Sequence, residues 1–231
     1  MFGRIERWFG NGWLGIAELL ITAFCVFFSI SIHEFCHGFA AYKLGDSTAK
    51  YMGRLNLSPL SHIDPIGAIC LFFFGFGWAK PVPVNPNNFA YGKQKSGMVW
   101  TSLAGPLGNL FVAFLAVFFL HVSYVISPVI LDFSEAIYSV IVNILYTLIF
   151  MNVGLAVFNF IPVPPLDGSK ILNAVLPPRL YFKIMQYEQY GFIILLLIIN
   201  LPIFSSILNG ISNLIISAFF WIVELIPFLK I

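Results

Sequence analysis

The sequence predicts an all-α polytopic membrane protein with about five transmembrane helices and a short re-entrant, β-hairpin-like segment around residues 60–90. Hydrophobic residues make up 59% of the 231 residues and charged residues only 10%, whereas globular proteins carry about 25% charged residues. Apolar runs of about 20 residues, long enough to cross a bilayer, recur along the chain. We therefore expect one membrane-embedded domain over residues 1–231, with its core at about 13–175 and C-terminal helices at about 185–231.

The first apolar run predicts a helix from about Trp13 to Leu44, which a Gly-Asp-Ser stop signal follows. Up to Ser31 its only charged residue is Glu18, so this part of the helix suits a lipid environment. Ionisable groups inside a span are energetically expensive and are functional as a rule. The polar cluster that comes next in the same helix therefore needs a chemical explanation.

That cluster is the pattern H-E-x-x-H, formed by His33, Glu34 and His37. Positions i and i+4 share one face of a helix, so both imidazoles can reach one tetrahedral Zn²⁺ at about 2.0–2.1 Å. Glu34 is close enough to accept a proton from a metal-bound water without binding the metal itself. The two histidines could instead be hydrogen-bonded interior groups, but the membrane setting favours a metal site. Cys36 points in a different direction, and we expect a packed free thiol there.

A shorter apolar run at residues 66–79 is about 14 residues long, and runs of this length are more often re-entrant than spanning. It contains three glycines, and alternating prolines follow it in the stretch Lys80–Pro86. This Phe-rich, glycine-punctuated texture predicts an extended strand or hairpin rather than a helix. We expect the segment to be buried against protein, where irregular backbone is tolerated at membrane depth.

The remaining apolar runs predict the other helices of the membrane domain. They lie at about Gly97–Leu120, Ile137–Asn159, Tyr190–Ile203 and Ile207–Leu229, and the last two meet at Pro202. The intervening residues 160–188 are rich in proline and carry charge. Together with the first helix, these runs make about five transmembrane helices.

The distribution of basic residues predicts the orientation of the chain. Residues 43–95 contain six Lys or Arg and residues 170–183 contain three, whereas residues 121–136 contain none. By the positive-inside rule the first two stretches are cytoplasmic and the third is outside, provided that the short apolar run does not cross the bilayer. Arg4 and Arg7 then lie outside, a mild conflict with the rule. We expect a multi-pass protein of the cell membrane whose metal site faces the cytoplasmic side.

A catalytic zinc binds three protein ligands and a water, so the histidine pair requires a third ligand. Glu18 is about four turns from His33 on the same helix, which is too far for its side chain to reach. Glu224 lies near the end of the last apolar run. Asp167 is a better candidate, because it follows the proline-rich end of a span on the cytoplasmic side. It could also cap a helix that begins near Ser169, and spacing alone leaves both roles open.

Two separated motifs make a more specific pattern. They are His33-Glu34-Phe35-Cys36-His37 and Asn159-x-x-Pro162-x-Pro164-Pro165-Leu166-Asp167-Gly168. Together they resemble the site-2 protease family of intramembrane zinc metalloproteases, of the small prokaryotic type without a PDZ or CBS domain, and residues 77–86 and 104–109 are also similar to that family. The resemblance implies that His33, His37 and Asp167 bind one zinc ion and that Glu34 is the acid/base. It also implies that Asn159 holds the substrate or the oxyanion.

The implied activity is hydrolysis of peptide bonds within or next to transmembrane segments of membrane proteins, in regulated intramembrane proteolysis. The partners would be transmembrane protein substrates and the lipid bilayer. A net charge of +2 gives no indication of a nucleic-acid partner, and the oligomeric state stays unpredicted. A substrate helix must unwind locally before attack, and the extended segment near Val82–Val84 could pair with it as an added strand.

Four further polar residues have two possible roles each. Asn109 could line the substrate cleft, or it could be a packing group between close helices. His62, Asp64 and Lys80 flank the re-entrant segment and could line a water channel to the buried site. We favour the alternative for these three, that they are solvated loop residues.

Two other functions remain open from the sequence. A membrane zincin of another architecture, such as a prenyl-protein endopeptidase, would share H-E-x-x-H but take its third ligand from a downstream glutamate such as Glu224. A metal transporter would use His33, Glu34 and His37 along an ion pathway. Transporters usually contain repeated halves, and this sequence shows no internal repeat.

Overall fold

The computed structural model describes residues 12–74, 77–90, 92–199 and 201–229, most of which are helical. The main helices are α1 (Gly12–Lys43), α2 (Pro65–Phe74), α3 (Gln94–Val125), α4 (Glu135–Asn159), α5 (Asp167–Val175), α6 (Pro178–Met185), α7 (Glu188–Ile199) and α8 (Pro202–Glu224). Short helical turns lie between or after them at Thr48–Tyr51, Pro59–His62, Pro86–Asn88, Ser127–Phe133 and Pro227–Leu229. The described residues form no strand, only one isolated β-bridge.

Four of these helices, α1, α3, α4 and α8, are long and apolar enough to cross a membrane. A fifth span results if Arg179–Met185 and Gln189–Ile199, which meet at an angle of 53°, are counted as one broken helix. The prediction of an all-α membrane protein is confirmed, with four to five helices of spanning length. The expectations for Arg4 and Arg7 concern residues outside those that the structure describes.

The helix ends follow local hydrogen bonding as well as hydropathy. After α1, Gly45 has a φ of +109°, a conformation that favours glycine, and the N–H of Asp46 donates to the Ala41 carbonyl at 2.9 Å. α3 continues five residues past the predicted end at Leu120. The end was predicted there because polar His121 follows the apolar run. In the structure, His121 Nδ1 forms a hydrogen bond to the Val117 carbonyl at 2.9 Å. The helix therefore continues, because its polar side chain is satisfied by its own backbone.

The bundle is built around α3, which packs against α1, α4 and α8. Its apolar core joins Val117 and Leu120 of α3 to Ile149 of α4 and Val223 of α8, and all four side chains are fully buried. On the α1 side the contact is closer, because glycines of α3 face the histidine helix. The metal-site candidates of α1 therefore lie against α3 and are shielded on that side by its backbone.

The strand texture predicted for residues 66–79 is wrong for the part that forms α2. Apolar residues without proline complete the hydrogen bonds of a helix within the segment, and Asp64 Oδ1 accepts from the N–H of Gly67 at 2.8 Å at its start. The chain then returns, because Ala79 forms an antiparallel bridge with Ile63 and the N–H of Lys80 donates to the His62 carbonyl at 2.9 Å. The re-entrant β-hairpin-like segment is not confirmed. The residues before and after this segment, Ile63 and Ala79, nevertheless lie next to each other.

The residues that follow form an extended segment held against the end of α1. Arg54 Nη2 donates to the Lys80 carbonyl at 2.8 Å, and Asp46 Oδ2 accepts from the N–H of Asn85 at 2.7 Å. Asp46 is completely buried and also accepts from Thr48. Burial alone would raise the pKa of Asp46, but these hydrogen bonds outweigh it and lower the pKa below its usual value. The segment is thus fixed at both ends beside the H-E-x-x-H helix.

Candidate metal centre

α1 brings the two predicted histidine ligands together in its C-terminal third. His33 Nε2 and His37 Nε2 are 3.0 Å apart, and the two rings are perpendicular. His37 lies six residues before the end of the helix, which is about 9 Å along the axis. Both residues are buried, with 6% and 9% of their surface exposed. The pair therefore sits inside the bundle rather than on its surface.

Asp167 reaches this pair from a distant part of the chain. Its Oδ2 lies 3.0 Å from His33 Nε2 and 3.0 Å from His37 Nε2. Asp167 is the first residue of α5, and no side chain caps that helix at Leu166, its N-cap. Asp167 therefore does not cap this helix, which was the other role that the sequence left open for it. Gly168 allows the close approach of α5 to the preceding turn, because a Cβ there would overlap the Phe160 and Ile161 carbonyls.

In each histidine, the hydrogen bond at Nδ1 determines whether Nε2 has a lone pair that can bind a metal. His37 Nδ1 is 2.7 Å from the Thr101 carbonyl, which can only accept, so Nδ1 carries a proton and, in the neutral ring, Nε2 carries a lone pair. His33 Nδ1 is 2.6 Å from Asn109 Oδ1, and the same reasoning applies. Three acceptor atoms then face one another at 3.0 Å. Neutral hydrogen bonding cannot explain this arrangement, whereas a cation among the three atoms would.

The spacing of the three atoms is close to that expected around a tetrahedral zinc ion. Tetrahedral Zn²⁺ with bonds of about 2.0–2.1 Å separates its ligand atoms by about 3.3 Å, and the observed separations are 3.0 Å. Two imidazoles and one carboxylate also form a typical donor set for catalytic zinc. In the described part of the chain, these three residues form the only group of His, Cys, Asp or Glu placed to hold a metal. The geometry and the donor set of His33, His37 and Asp167 therefore suit a zinc ion.

Glu34 lies beside the three atoms but is not one of them. Its Oε2 accepts a hydrogen bond from the backbone N–H of Val82 at 2.8 Å, and 9% of the residue is exposed. Val82 belongs to the extended segment that Arg54 and Asp46 anchor. The carboxylate is therefore held by one oxygen, which leaves Oε1 free to exchange a proton in the cavity.

A cavity of about 460 Å³ opens beside the three ligand atoms. Glu34, Val84 and Lys170 line it, and so does Asn159 at the end of α4. Asn159 Nδ2 donates to the Leu155 carbonyl at 2.9 Å within the helix. The structure thus places every predicted site residue in one cavity, although Asn159 touches none of the ligand atoms through a hydrogen bond.

The Ala-Gly-Pro-Leu-Gly-Asn stretch of α3 proves to be the wall behind the histidines. A Cβ at Gly105 would come within 2.5 Å of the His37 ring and 2.8 Å of the His33 ring. A Cβ at Gly108 would overlap the Cys36 sulfur, so Cys36 is the packed free thiol that was predicted. Both glycines are needed because the histidine helix lies directly against the backbone of α3.

The other polar candidates have separate outcomes. His62 is completely buried, and its Nε2 donates to the Asn56 carbonyl at 2.8 Å, so the expectation of a solvated loop residue is wrong for His62. Asp64 immediately precedes α2, where its Oδ1 accepts from the N–H of Gly67, and Lys80 is exposed at the surface. Glu224 is exposed at the end of α8 and does not belong to the ligand group. Glu18 is likewise not part of that group.

Sequence reasoning missed the groups whose role depends on backbone atoms or on remote packing. These are the Thr101 carbonyl, the Val82 N–H, the absence of a side chain at Gly105 and the amide of Asn152. The Gly-Pro pair within an apolar helix was the sequence feature that indicated this close contact between α3 and the histidine helix. Backbone donors and acceptors leave no trace in the identity of their residue.

Comparison with known proteins gives an independent view of the chain. The model of peptidase family M50 matches residues 66–199, which include Asp167. YwhC of Bacillus subtilis (strain 168), which carries the name "Putative zinc metalloprotease", is 40% identical over 186 residues, or 80% of this chain and 82% of YwhC. Rip2 of Mycolicibacterium smegmatis, which carries the same name, is 27% identical over 195 residues, or 82% of this chain and 70% of Rip2.

A third relative matches a smaller share of the chain. The "Zinc metalloprotease MJ0392" of Methanocaldococcus jannaschii is 28% identical over 157 residues, which cover 67% of this chain and 34% of that protein. No solved structure shows a significant match to the chain. The family model covers more than half of the 231 residues, and the relatives agree with it in their names.

Proposed function

Because this chain belongs to peptidase family M50, the site-2 protease family, we propose that it hydrolyses peptide bonds within or next to the transmembrane segments of membrane proteins. That the chain is a membrane zinc metalloprotease follows from the family and from its spanning helices. The proposal adds the substrate class and a role in regulated intramembrane proteolysis. The observation that carries it is the position of the three ligand atoms, inside a bundle of helices long enough to span a membrane.

The proposed division of roles follows from the geometry. His33, His37 and Asp167 would hold one zinc ion, which when bound supplies Lewis acidity and lowers the pKa of a water towards about 7. Glu34 accepts a proton from the attacking water at Oε1, because Oε2 is held by the Val82 N–H. It then delivers that proton to the nitrogen of the leaving amine. Asn159 lines the same cavity and is proposed to hold the substrate or the oxyanion.

An apolar cavity next to the catalytic one supports a transmembrane substrate. It has a volume of about 470 Å³, and Ile30, Leu155 and Phe158 border both cavities. A helix from the bilayer finds apolar surroundings there before its scissile peptide reaches the polar site. Such a helix must unwind first, because its carbonyls are hydrogen-bonded and shielded by neighbouring turns.

Pairing of the unwound substrate with the extended segment is part of the proposal, in a narrower form than the sequence suggested. The N–H of Val82 already donates to Glu34, and Pro81 and Pro83 have no N–H. An added strand would therefore pair with the N–H of Val84 and with the carbonyls of this segment. Val84 lines the catalytic cavity, which supports that position.

We also propose a multi-pass protein of the cell membrane with its active site towards the cytoplasmic side. Lys170 lies 3.5 Å from Asp167 Oδ1, and Arg54 anchors the extended segment at the same end of the bundle. Residues 126–134, which follow α3 at its other end, contain no Lys or Arg. This charge difference has the sign that the positive-inside rule requires. The lipid bilayer and transmembrane proteins are the proposed partners, and nucleic acid is not.

Purified wild-type protein in lipid vesicles, given a panel of fluorescently tagged transmembrane segments, tests this function. We expect cleaved products whose termini, determined by mass spectrometry, lie within or next to the apolar segment. Cleavage should stop on zinc chelation and return when zinc is added back. Divalent-ion flux through the vesicles without any cleaved product would contradict the proposal and support a transporter. Cleavage confined to prenylated C-terminal peptides would support the other class of membrane zincin.

A further inference from the structure

We propose that Asn152 is a positioning residue for the metal centre, acting through Asn109 to keep a lone pair on His33 Nε2. Asn152 lies on α4 and contacts none of the three ligand atoms. Its side chain and that of Asn109 are both completely buried in the interior of the bundle. A buried amide in such surroundings is costly unless every polar atom is satisfied. The inference rests on the proposed zinc site.

The orientation of the Asn152 amide is fixed by a backbone carbonyl. Its Nδ2 donates to the Leu148 carbonyl at 2.9 Å and to Ser29 Oγ at 2.8 Å. The Leu148 carbonyl can only accept, so the nitrogen of the amide must face it. Oδ1 of Asn152 consequently points towards α3.

The next amide is then oriented by the first. Asn109 Nδ2 donates to Asn152 Oδ1 at 2.8 Å and to the Ser29 carbonyl at 3.0 Å. Both partners are acceptors. Turning the Asn109 amide by half a turn would therefore place its own oxygen against the oxygens of Asn152 and Ser29. Its Oδ1 is therefore directed at His33, 2.6 Å from Nδ1.

The last step concerns the metal ligand itself. An oxygen facing His33 Nδ1 requires a proton on that nitrogen, and the neutral ring then has its lone pair on Nε2. Histidine ligands generally depend on such a partner for tautomer and ring orientation, and its loss typically lowers metal affinity 10–100-fold. If Asn109 were free to turn, its NH₂ group would face Nδ1 and favour the tautomer that cannot bind through Nε2. Asn152 prevents that turn.

The test measures zinc affinity of the purified full-length protein by competition with a chromogenic chelator. Asn109→Leu should weaken zinc binding by about 10–100-fold. Asn152→Leu should weaken it by about 3–10-fold, because the Ser29 carbonyl still holds Asn109 in part. Asn143→Leu is the matched control, an exposed asparagine of the same helix, and should leave affinity unchanged.

A double substitution separates positioning from a general loss of packing. If Asn152 acts only through Asn109, the double Leu variant should bind zinc as weakly as Asn109→Leu alone, whereas independent effects would multiply. Cobalt-loaded protein gives a second signal, since the visible absorption band should shift in Asn152→Leu and not in Asn143→Leu. Should Asn152→Leu fail to fold, Asn152→Ser removes the same acceptor with less bulk.

Unchanged zinc affinity in a folded Asn152 variant, or multiplicative effects in the double variant, would overturn the inference. Wild-type protein that binds no zinc would instead refute the metal centre on which the inference rests. The two failures are thus distinguishable within one titration series.

Discussion

Glu34 and Val82 are 48 positions apart, yet the Glu34 carboxylate accepts a 2.8 Å hydrogen bond from the Val82 backbone N–H. This bond ties the proposed acid/base to the extended segment that borders the catalytic cavity. It fixes one carboxylate oxygen and leaves the other for proton exchange. The position of the base therefore depends on the anchoring of a loop as well as on the helix that carries it.

Glu34→Gln should abolish peptide hydrolysis while the protein keeps its zinc. The amide oxygen of glutamine can still accept from Val82, but the side chain can no longer take up a proton, so we expect a loss of kcat on the order of 10²–10⁴-fold. Zinc content by atomic absorption and cleavage of a transmembrane substrate measure the two effects. Loss of the metal together with activity would show that Glu34 has a structural role instead.

Proline substitutions in the extended segment should separate two roles of its N–H groups. Val82→Pro removes the donor to Glu34, and Val84→Pro removes the donor proposed for substrate pairing. We expect both variants to keep zinc and to cleave more slowly. Val84→Pro should retain hydrolysis of a short unstructured peptide that needs no strand pairing, whereas Val82→Pro should lose it. Full cleavage of a transmembrane substrate by Val84→Pro would contradict the pairing.

Asp167→Ala should release the zinc ion, because two imidazoles alone leave a catalytic site one ligand short. Glu224→Ala is the control, since Glu224 is exposed and outside the ligand group. We expect about one zinc per chain in the wild type and in Glu224→Ala, and well below one in Asp167→Ala. The reverse pattern would assign the third ligand to Glu224 and favour a different architecture of zincin.

Gly105→Ala should disrupt the metal centre without touching any ligand. The added Cβ would lie 2.5 Å from the His37 ring and 2.8 Å from the His33 ring, and the rings cannot move without separating their nitrogens. We expect zinc affinity to fall about tenfold or more, as when a supporting contact of a ligand is lost. Gly154→Ala, on α4 with no atom within 4 Å of the new Cβ, should bind zinc normally. Equal affinities in the two variants would contradict the close approach.

Asp46→Ala should destabilise the protein by about 1–3 kcal/mol, because it leaves the N–H groups of Thr48 and Asn85, both partly buried in these hydrogen bonds, without their acceptor. The dependence on pH has a definite sign. The pKa of Asp46 is lower in the folded state than its unfolded value of about 3.9, so its stabilisation is complete above about pH 4. It is lost as the pH falls through the lower, folded value. Thermal unfolding in detergent between pH 3 and 7 measures both effects, and an Asp46→Ala variant as stable as the wild type would refute them.

Local regularities account for what could be predicted. The two histidines share a helix face because they are four residues apart, and the span lengths follow from runs of apolar residues. The strand texture of residues 66–79 misled because glycine and phenylalanine also fit a short helix, and the hydrogen bonds of α2 are completed within it. With ten residues, α2 is too short to be among the helices of spanning length, and the re-entrant path stays a prediction.

The sequence by itself determined the membrane class, the spacing of His33 and His37, and the short list of acids that could join them, since composition and helical periodicity are properties of neighbouring residues. Only the tertiary structure decided that the Asp167 carboxylate faces both rings at 3.0 Å rather than capping its own helix. It also decided which nitrogen of each ring carries a proton, through the Thr101 carbonyl and Asn109. These outcomes depend on where separate helices cross, because a hydrogen bond between residues 76 positions apart forms only once packing has brought them together.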